Sequence, residues 1–72
     1  MYQIEKKADL PHQQRVIDEA NELGIKLDNL NKFINENDFY KSLSVNEQER
    51  LTKQSGIMLS YFEVLSERIN NF

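Results

Sequence analysis

A seam of apolar residues at heptad spacing constrains this chain more than any other feature of its sequence. Spacings of four and three residues alternate along it, at Val16, Ala20, Leu23, Leu27, Leu30 and Ile34. A β-strand repeats every two residues and cannot use this pattern, whereas an α-helix gathers all of these side chains on one stripe. Additional apolar residues broaden the stripe and predict a helix that needs more than one partner surface: Ile17, Ile25 and Phe33.

The residues on either side of the seam predict where this helix begins and ends. Asp9 is a plausible N-cap, and Pro11 falls in the first turn, where its missing N–H does no harm. The polar residues 35–38 end the helix. Gly24 interrupts it and indicates either a bend or a close neighbour. Residues 1–9 have little periodicity, so we expect an N-terminal arm that is ordered only if a neighbour holds it.

A second amphipathic helix is predicted from about Val45 to Ile69. Ser44 and Glu47 match the capping-box pattern at its start. Residues 54–56 are small or polar, which leaves three interpretations. They allow the two helices to approach closely, they face a bend at Gly24, or they line a polar pocket. The apolar seam of this helix comprises Leu51, Met58, Phe62, Leu65, Ile69 and Phe72.

Between the two helices, Phe39, Tyr40 and Leu43 predict a short helical turn whose aromatic rings fold back on the seam. The predicted fold is therefore all-α, an antiparallel hairpin of two long helices with a short helical turn between them. Residues 1–9 form the arm, and residues 10–72 form a single domain.

One hairpin cannot bury all of its apolar residues. A chain of 72 residues buries only about 60% of its unfolded surface. We therefore expect a homo-oligomer, either a four-helix bundle dimer or a larger closed ring. The residues in excess of what one hairpin can bury are Ile17, Ile25, Phe33, Ile57, Leu59 and Val64.

Composition excludes several classes of function. The net charge of −3 opposes binding to polymeric nucleic acid, which requires a basic surface. The chain has no Cys and one His, so the sequence predicts no disulfide, no thiolate chemistry and no metal site. No apolar run approaches the ~20 residues that span a bilayer, and the first residues are too polar for a secretory signal. We expect a soluble intracellular protein that requires no cofactor.

The sequence favours binding over catalysis. His12 lacks the partners of a catalytic constellation, and we predict no enzymatic activity. The first-turn N–H groups around His12 offer a site for an anion. Lys26 lies ~21 Å further along the same helix, so only two antiparallel copies can bring these groups together. Arg68 is another cation that could face a subunit junction. The alternative is ordinary surface charge, with Lys26 satisfied by Glu22 and Arg68 satisfied by its neighbours Glu67 or Ser66.

The chain resembles a family of small phage proteins, the anti-CBASS cyclic-nucleotide sponges, over roughly residues 10–72. The first helix carries part of the resemblance in the string at 12–19 and in Glu22, Leu23, Lys26, Leu27, Leu30, Phe33 and Ile34. The second helix continues it in Glu47, Glu49, Arg50, Leu51, Gln54, Met58, Tyr61, Leu65, Glu67, Arg68 and Ile69.

The resemblance implies a helical homo-oligomer, usually a hexamer, that binds cyclic oligonucleotide messengers without cleaving them and so inhibits bacterial CBASS immunity in the host cytoplasm. Sites between paired subunits would hold cyclic dinucleotides such as cyclic GMP-AMP, and sites where three subunits meet would hold cyclic trinucleotides. Lys26 matches a family lysine that contacts the ligand phosphate. Pro11 and His12 lie where the family places an aromatic residue that stacks on a base of the ligand. Tyr2 could take the place of that aromatic residue only if the arm folds back. Arg68 is the candidate for the trinucleotide site.

A helical protein-interaction module is the alternative function. The broad apolar stripe of the same hairpin would then dock on the helices of another protein and inhibit it.

Overall fold

A computed structural model describes residues 2–72 of the chain. It contains three helices, α1 (Pro11–Glu36), α2 (Asp38–Ser42) and α3 (Val45–Asn70), and these residues include no strand. α1 and α3 pack against each other, and the molecule measures 47 × 16 × 14 Å. The predicted all-α hairpin with a short helical turn is confirmed.

The two long helices begin in different ways. Leu10, not Asp9, is the N-cap of α1, and no side chain caps this helix, so the prediction for Asp9 is wrong. Pro11 occupies the first turn, as predicted. At the start of α3, the Ser44 hydroxyl accepts a hydrogen bond from the backbone N–H of Glu47 at 3.2 Å. The Glu47 carboxylate forms an ion pair with Arg50 instead. Only the half of the capping box in which Ser44 accepts a hydrogen bond is therefore present.

The core lies along the contact between α1 and α3. Its buried apolar residues are Ile17, Ala20, Leu23, Leu27, Phe62, Leu65 and Ile69. Ile17 is only 3% exposed, so its assignment to the excess apolar residues is wrong. The reason is that Ile17 belongs to the same cluster as Ile69, against which the arm residues Ile4 and Ala8 also pack.

The short helix α2 covers one further residue of the predicted excess. Phe33 is half-buried, with its ring centroid 5.9 Å from that of Tyr40 and 6.5 Å from that of Phe39. The Tyr40 hydroxyl donates a hydrogen bond to the carbonyl of Gln48 at 3.2 Å. Tyr40 therefore folds back on the two long helices, as predicted, whereas Phe39 is 65% exposed. Four of the excess apolar residues remain exposed: Ile25, Ile57, Leu59 and Val64.

The N-terminal arm lies along the hairpin and is held by the chain's own helices. The Tyr2 ring packs edge-on against the Phe62 ring, with 5.2 Å between the centroids. The Ile4 N–H donates to Asn21 Oδ1 at 2.7 Å, and Asn21 Nδ2 donates to the Ile4 carbonyl at 3.3 Å. Lys6 Nζ donates to the Ile69 carbonyl at 3.0 Å. The neighbour that holds the arm is thus the hairpin of its own chain, and the arm folds back along it.

Gly24 has a close neighbour. A Cβ atom at this position would lie 2.9 Å from the Cβ of Tyr2 and closer still to the Tyr2 carbonyl. A glycine is therefore needed where the arm crosses α1. Gly56 has nothing within 4 Å of such a Cβ, so it does not pack against Gly24. Its neighbour Ser55 donates a hydrogen bond to Asn31 Oδ1 across the two helices at 2.5 Å.

Candidate functional site

The two long sides of the hairpin differ because the arm covers only one of them. On the other side, the Tyr61 hydroxyl of α3 donates a hydrogen bond to the Glu19 carboxylate of α1. The arm binds α1 at Asn21, two residues after Glu19 and so about 200° round the helix axis. We call the side marked by Tyr61 and Glu19 the open face. It comprises His12, Glu19, Lys26, Ile57, Tyr61, Val64 and Arg68.

α3 contributes an apolar stripe to the open face. Ile57 lies four residues before Tyr61 and Val64 three residues after it, a spacing that puts all three on one side of a helix. Ile57 is 60% exposed and Val64 is 52% exposed. A contiguous apolar stripe left in solvent is typical of a surface that binds another molecule.

α1 contributes a polar line to the same face. His12 and Lys26 each lie seven residues from Glu19, which places all three on one side of α1. His12, Lys26 and the adjacent Pro11 are exposed. About 21 Å of helix separates His12 from Lys26, so one chain puts them on one face without bringing them together.

Arg68 lies near the end of the open face that is farther from α2. It follows Tyr61 by seven residues, so it continues the stripe of α3 and is exposed. Its neighbour Ile69 packs in the same cluster as Ile17, which places this end of α3 beside the first turns of α1. Arg68 and His12 therefore share one end of the open face, while Lys26 lies nearer the middle.

Within residues 2–72, Lys26 and Arg68 form no ion pair with the acidic residues that the sequence suggests as their partners. Glu22 and Lys26 form no ion pair in the described part of the chain, and neither do Glu67 and Arg68. Within residues 2–72, the ion pairs are Lys41–Asp38 and Arg50–Glu47. Exposed pairs at helical spacing contribute only about 0.2–0.5 kcal/mol, so nothing compels them to form. The pairing of Lys26 with Glu22 that the spacing suggests is therefore not formed within residues 2–72, and Lys26 lies exposed.

A concave surface lies beside the arm. We call it the lateral groove. It has a volume of about 450 Å³ and is lined by Tyr2, Gln3, Asn21, Ile25, Asp28, Asn29 and Lys32. Asn29 and Lys32 were not predicted as site residues, because the opposite wall of the groove belongs to an arm with no periodic pattern. The available signal was Ile25, an apolar residue in excess of one hairpin, with polar residues one turn away on either side.

Residues 2–72 contain no group of three or more His, Cys, Asp or Glu that could hold a metal ion. In that same part of the chain, no helix is long and apolar enough to cross a membrane. The residues predicted from the sequence as site residues are all exposed on the hairpin: Pro11, His12, Lys26 and Arg68.

Fold and surfaces together define a small α-helical hairpin with the features of a binding protein. Residues 10–71 match the family model described as Sequestin, and the chain therefore belongs to the Sequestin family. The family's name points to sequestration of a ligand rather than to catalysis. No curated protein and no solved structure matched the chain in the comparisons. The match includes the hairpin and leaves the arm residues 2–9 outside it.

Proposed function

We propose that this protein sequesters cyclic dinucleotide messengers such as cyclic GMP-AMP at sites between copies of itself. By hiding the messenger without cleaving it, a phage-encoded protein of this kind would inhibit CBASS immunity in the cytoplasm of the bacterial host. The observation that carries the proposal is the open face, where Lys26 without an acidic partner lies beside an exposed apolar stripe.

Self-association is the first step of the proposal. In a single hairpin, water covers the apolar stripe formed by Ile57, Tyr61 and Val64, and a second copy would bury it. A twofold axis presents the same surface on both copies. If the helices pair in antiparallel fashion, the start of one α1 approaches the middle of the other. Pro11 and His12 of one copy would then face Lys26 of its partner, which removes the separation of ~21 Å within one chain.

The charges of such a paired site match the ligand. A cyclic dinucleotide carries two phosphodiester charges, and a twofold site supplies two Lys26 side chains. In the first turn of α1, the backbone N–H of His12 adds a donor for a phosphate oxygen, whereas the N–H groups of Gln13 and Gln14 already donate to the Leu10 carbonyl. His12 and Pro11 offer flat surfaces to a base. The net charge of −3 and the carboxylate of Glu19 restrict binding to a small anion that contacts few groups.

The finer features of the resemblance belong to the same proposal. Six copies would close the assembly. Arg68 lies at the end of the open face, where a junction of three copies would gather three guanidinium groups. A cyclic trinucleotide carries three phosphodiester charges, and this junction would hold it.

Calorimetric titration of the pure protein with cyclic di- and trinucleotides tests the proposal. We expect saturable binding of at least one cyclic dinucleotide, with the intact ligand recovered after the protein is denatured. Inorganic phosphate and a linear dinucleotide serve as control ligands. Failure of every cyclic nucleotide to bind would contradict sequestration, and recovery of a cleaved ligand would make the protein an enzyme.

The same apolar stripe supports a second candidate, a module that docks on helices of another protein. Ile57 and Val64 would then cover a partner helix rather than a second copy. Affinity capture from infected cells distinguishes the two functions. A stoichiometric protein partner, together with no bound nucleotide, would favour the module.

A further inference from the structure

The lateral groove has the composition of a ligand site and does not belong to the open face. At about 450 Å³ its volume is in the usual range of small-molecule pockets. Asn21 lines this groove, whereas Glu19 lies about 200° away round α1. A ligand in the groove would therefore contact none of the groups invoked above for the cyclic dinucleotide.

The groove combines an apolar floor with polar groups that are free to bind. Ile25 is 62% exposed and provides the apolar surface. Within residues 2–72, the side chains of Gln3, Asp28, Asn29 and Lys32 make no hydrogen bond or ion pair. Asn21 is occupied, because its amide already holds the backbone of Ile4. The groove thus offers two amides, one carboxylate and one cation.

The spacing of these groups selects the chemistry of the ligand. Ile25 and Lys32 are seven residues apart on one side of α1, a rise of about 10.5 Å. A bare phosphate would contact Lys32 alone and would leave Ile25 and the amides of Gln3 and Asn29 without a partner. A nucleoside monophosphate is long enough to reach from Ile25 to Lys32. It also carries hydroxyl and N–H groups that can donate hydrogen bonds to the Asp28 carboxylate.

We propose that the lateral groove is a second binding site, which takes a nucleoside monophosphate. The base lies on Ile25, its polar edge contacts the amides of Asn29 and Gln3, and the phosphate contacts Lys32. Asp28 accepts a hydrogen bond from the sugar or the base. Since every contact comes from one chain, this site requires neither self-association nor the function proposed above.

The arm completes this site. Tyr2 and Gln3 form the wall that faces α1, and Asn21 fixes the arm through Ile4. Release of the arm therefore opens the groove into a flat helix surface. Asn21 acts here as a positioning residue for the arm, without direct contact to the ligand.

Amide NMR spectra of the full chain, titrated with GMP or AMP, test the proposal. We expect saturable shifts of the side-chain amide signals of Asn29 and Gln3, with no such shifts when inorganic phosphate is added. Lys32→Ala should weaken nucleotide binding about tenfold or more, because it removes a charge-assisted hydrogen bond. Lys53→Ala, an exposed lysine on α3, is the matched control and should leave the affinity unchanged.

Two further variants separate this site from the open face. Asn21→Leu should weaken nucleotide binding and give the signals of residues 3–8 the narrow lines of a released arm. Lys26→Glu should leave binding of the monophosphate unchanged. Shifts confined to the open face, absence of any shift, or loss of binding in Lys26→Glu would each overturn the proposal. Failure of cyclic dinucleotides to bind would leave it standing.

Discussion

The backbone of Tyr2 lies directly over Gly24, so closely that the helix has no room there for a side chain. This contact joins the N-terminal arm to the middle of α1. It explains why a glycine, which costs about 1 kcal/mol relative to alanine in a helix, stands in the middle of the apolar seam. The position of the arm in turn decides which side of the hairpin remains open.

Substitution of Gly24 by alanine should therefore release the arm while leaving the hairpin folded. The added Cβ would overlap Tyr2, whereas α1 itself gains helix propensity. Limited trypsin digestion gives the measurement, because Lys6 is hydrogen-bonded to Ile69 and Lys7 is exposed. We expect cleavage after these lysines to be at least several-fold faster than in the wild type.

The matched control for this variant is Gly56→Ala. Nothing lies within 4 Å of a Cβ at Gly56, so the change should raise stability by about 1 kcal/mol and leave arm cleavage unaltered. Equal rates of arm cleavage in Gly24→Ala and the wild type would show that the arm does not rest on Gly24.

Self-association should depend on the apolar stripe of α3. Val64→Glu places a charge in the middle of the surface that we propose is covered by a second copy. We expect this variant to sediment as a smaller species than the wild type, with an unchanged circular dichroism spectrum. Val45→Glu is the control, because Val45 is 69% exposed at the first position of α3, away from the stripe. Identical sedimentation of both variants and the wild type would contradict the role of the stripe.

Binding of cyclic dinucleotides should depend on Lys26. Lys26→Glu replaces a cation by an anion twice in a twofold site, so affinity should fall at least about a hundredfold, equivalent to about 2.8 kcal/mol. Calorimetry measures the affinity, and circular dichroism checks that helicity is unchanged. Lys53→Glu makes the same charge change on the exposed surface of α3 and should retain binding. Retained affinity in Lys26→Glu would remove this lysine from the site.

The stability of the hairpin should depend on the contact between α1 and α3. Leu65 is 1% exposed, and Leu65→Ala should lower the free energy of unfolding by about 2–5 kcal/mol. Urea denaturation measures this loss. Val45→Ala removes an apolar side chain that is largely in solvent, and its effect should stay within about 0.5 kcal/mol. A Leu65→Ala loss no larger than that of the control would contradict the packing.

The sequence predicted the helices well because the signals for them are local. Heptad spacing determined the buried stripe, and Ser44 marked the start of α3. Asp9 failed as an N-cap because the chain enters α1 directly through Leu10 and Pro11. Ile17 was misjudged because its burial depends on both α3 and the arm, which a count of residues along one helix cannot include.

The candidate sites depend on contacts that the sequence did not reveal. From the sequence, Gly24 indicated either a bend or a close neighbour, and the structure shows that the close neighbour is Tyr2. His12 and Lys26 could be placed on one side of α1 from their spacing alone. That Arg68 joins that side became clear only from the hydrogen bond between Tyr61 and Glu19. Lys32 was missed because the wall opposite it belongs to an arm with no periodic pattern.

Native mass spectrometry of the purified chain, with and without cyclic GMP-AMP, shows whether copies of the chain pair around the ligand, because it reports the number of chains and of ligands together. We predict an assembly of several chains that gains one intact ligand mass for each pair of chains. A folded single chain that carries no ligand at any concentration would contradict the account.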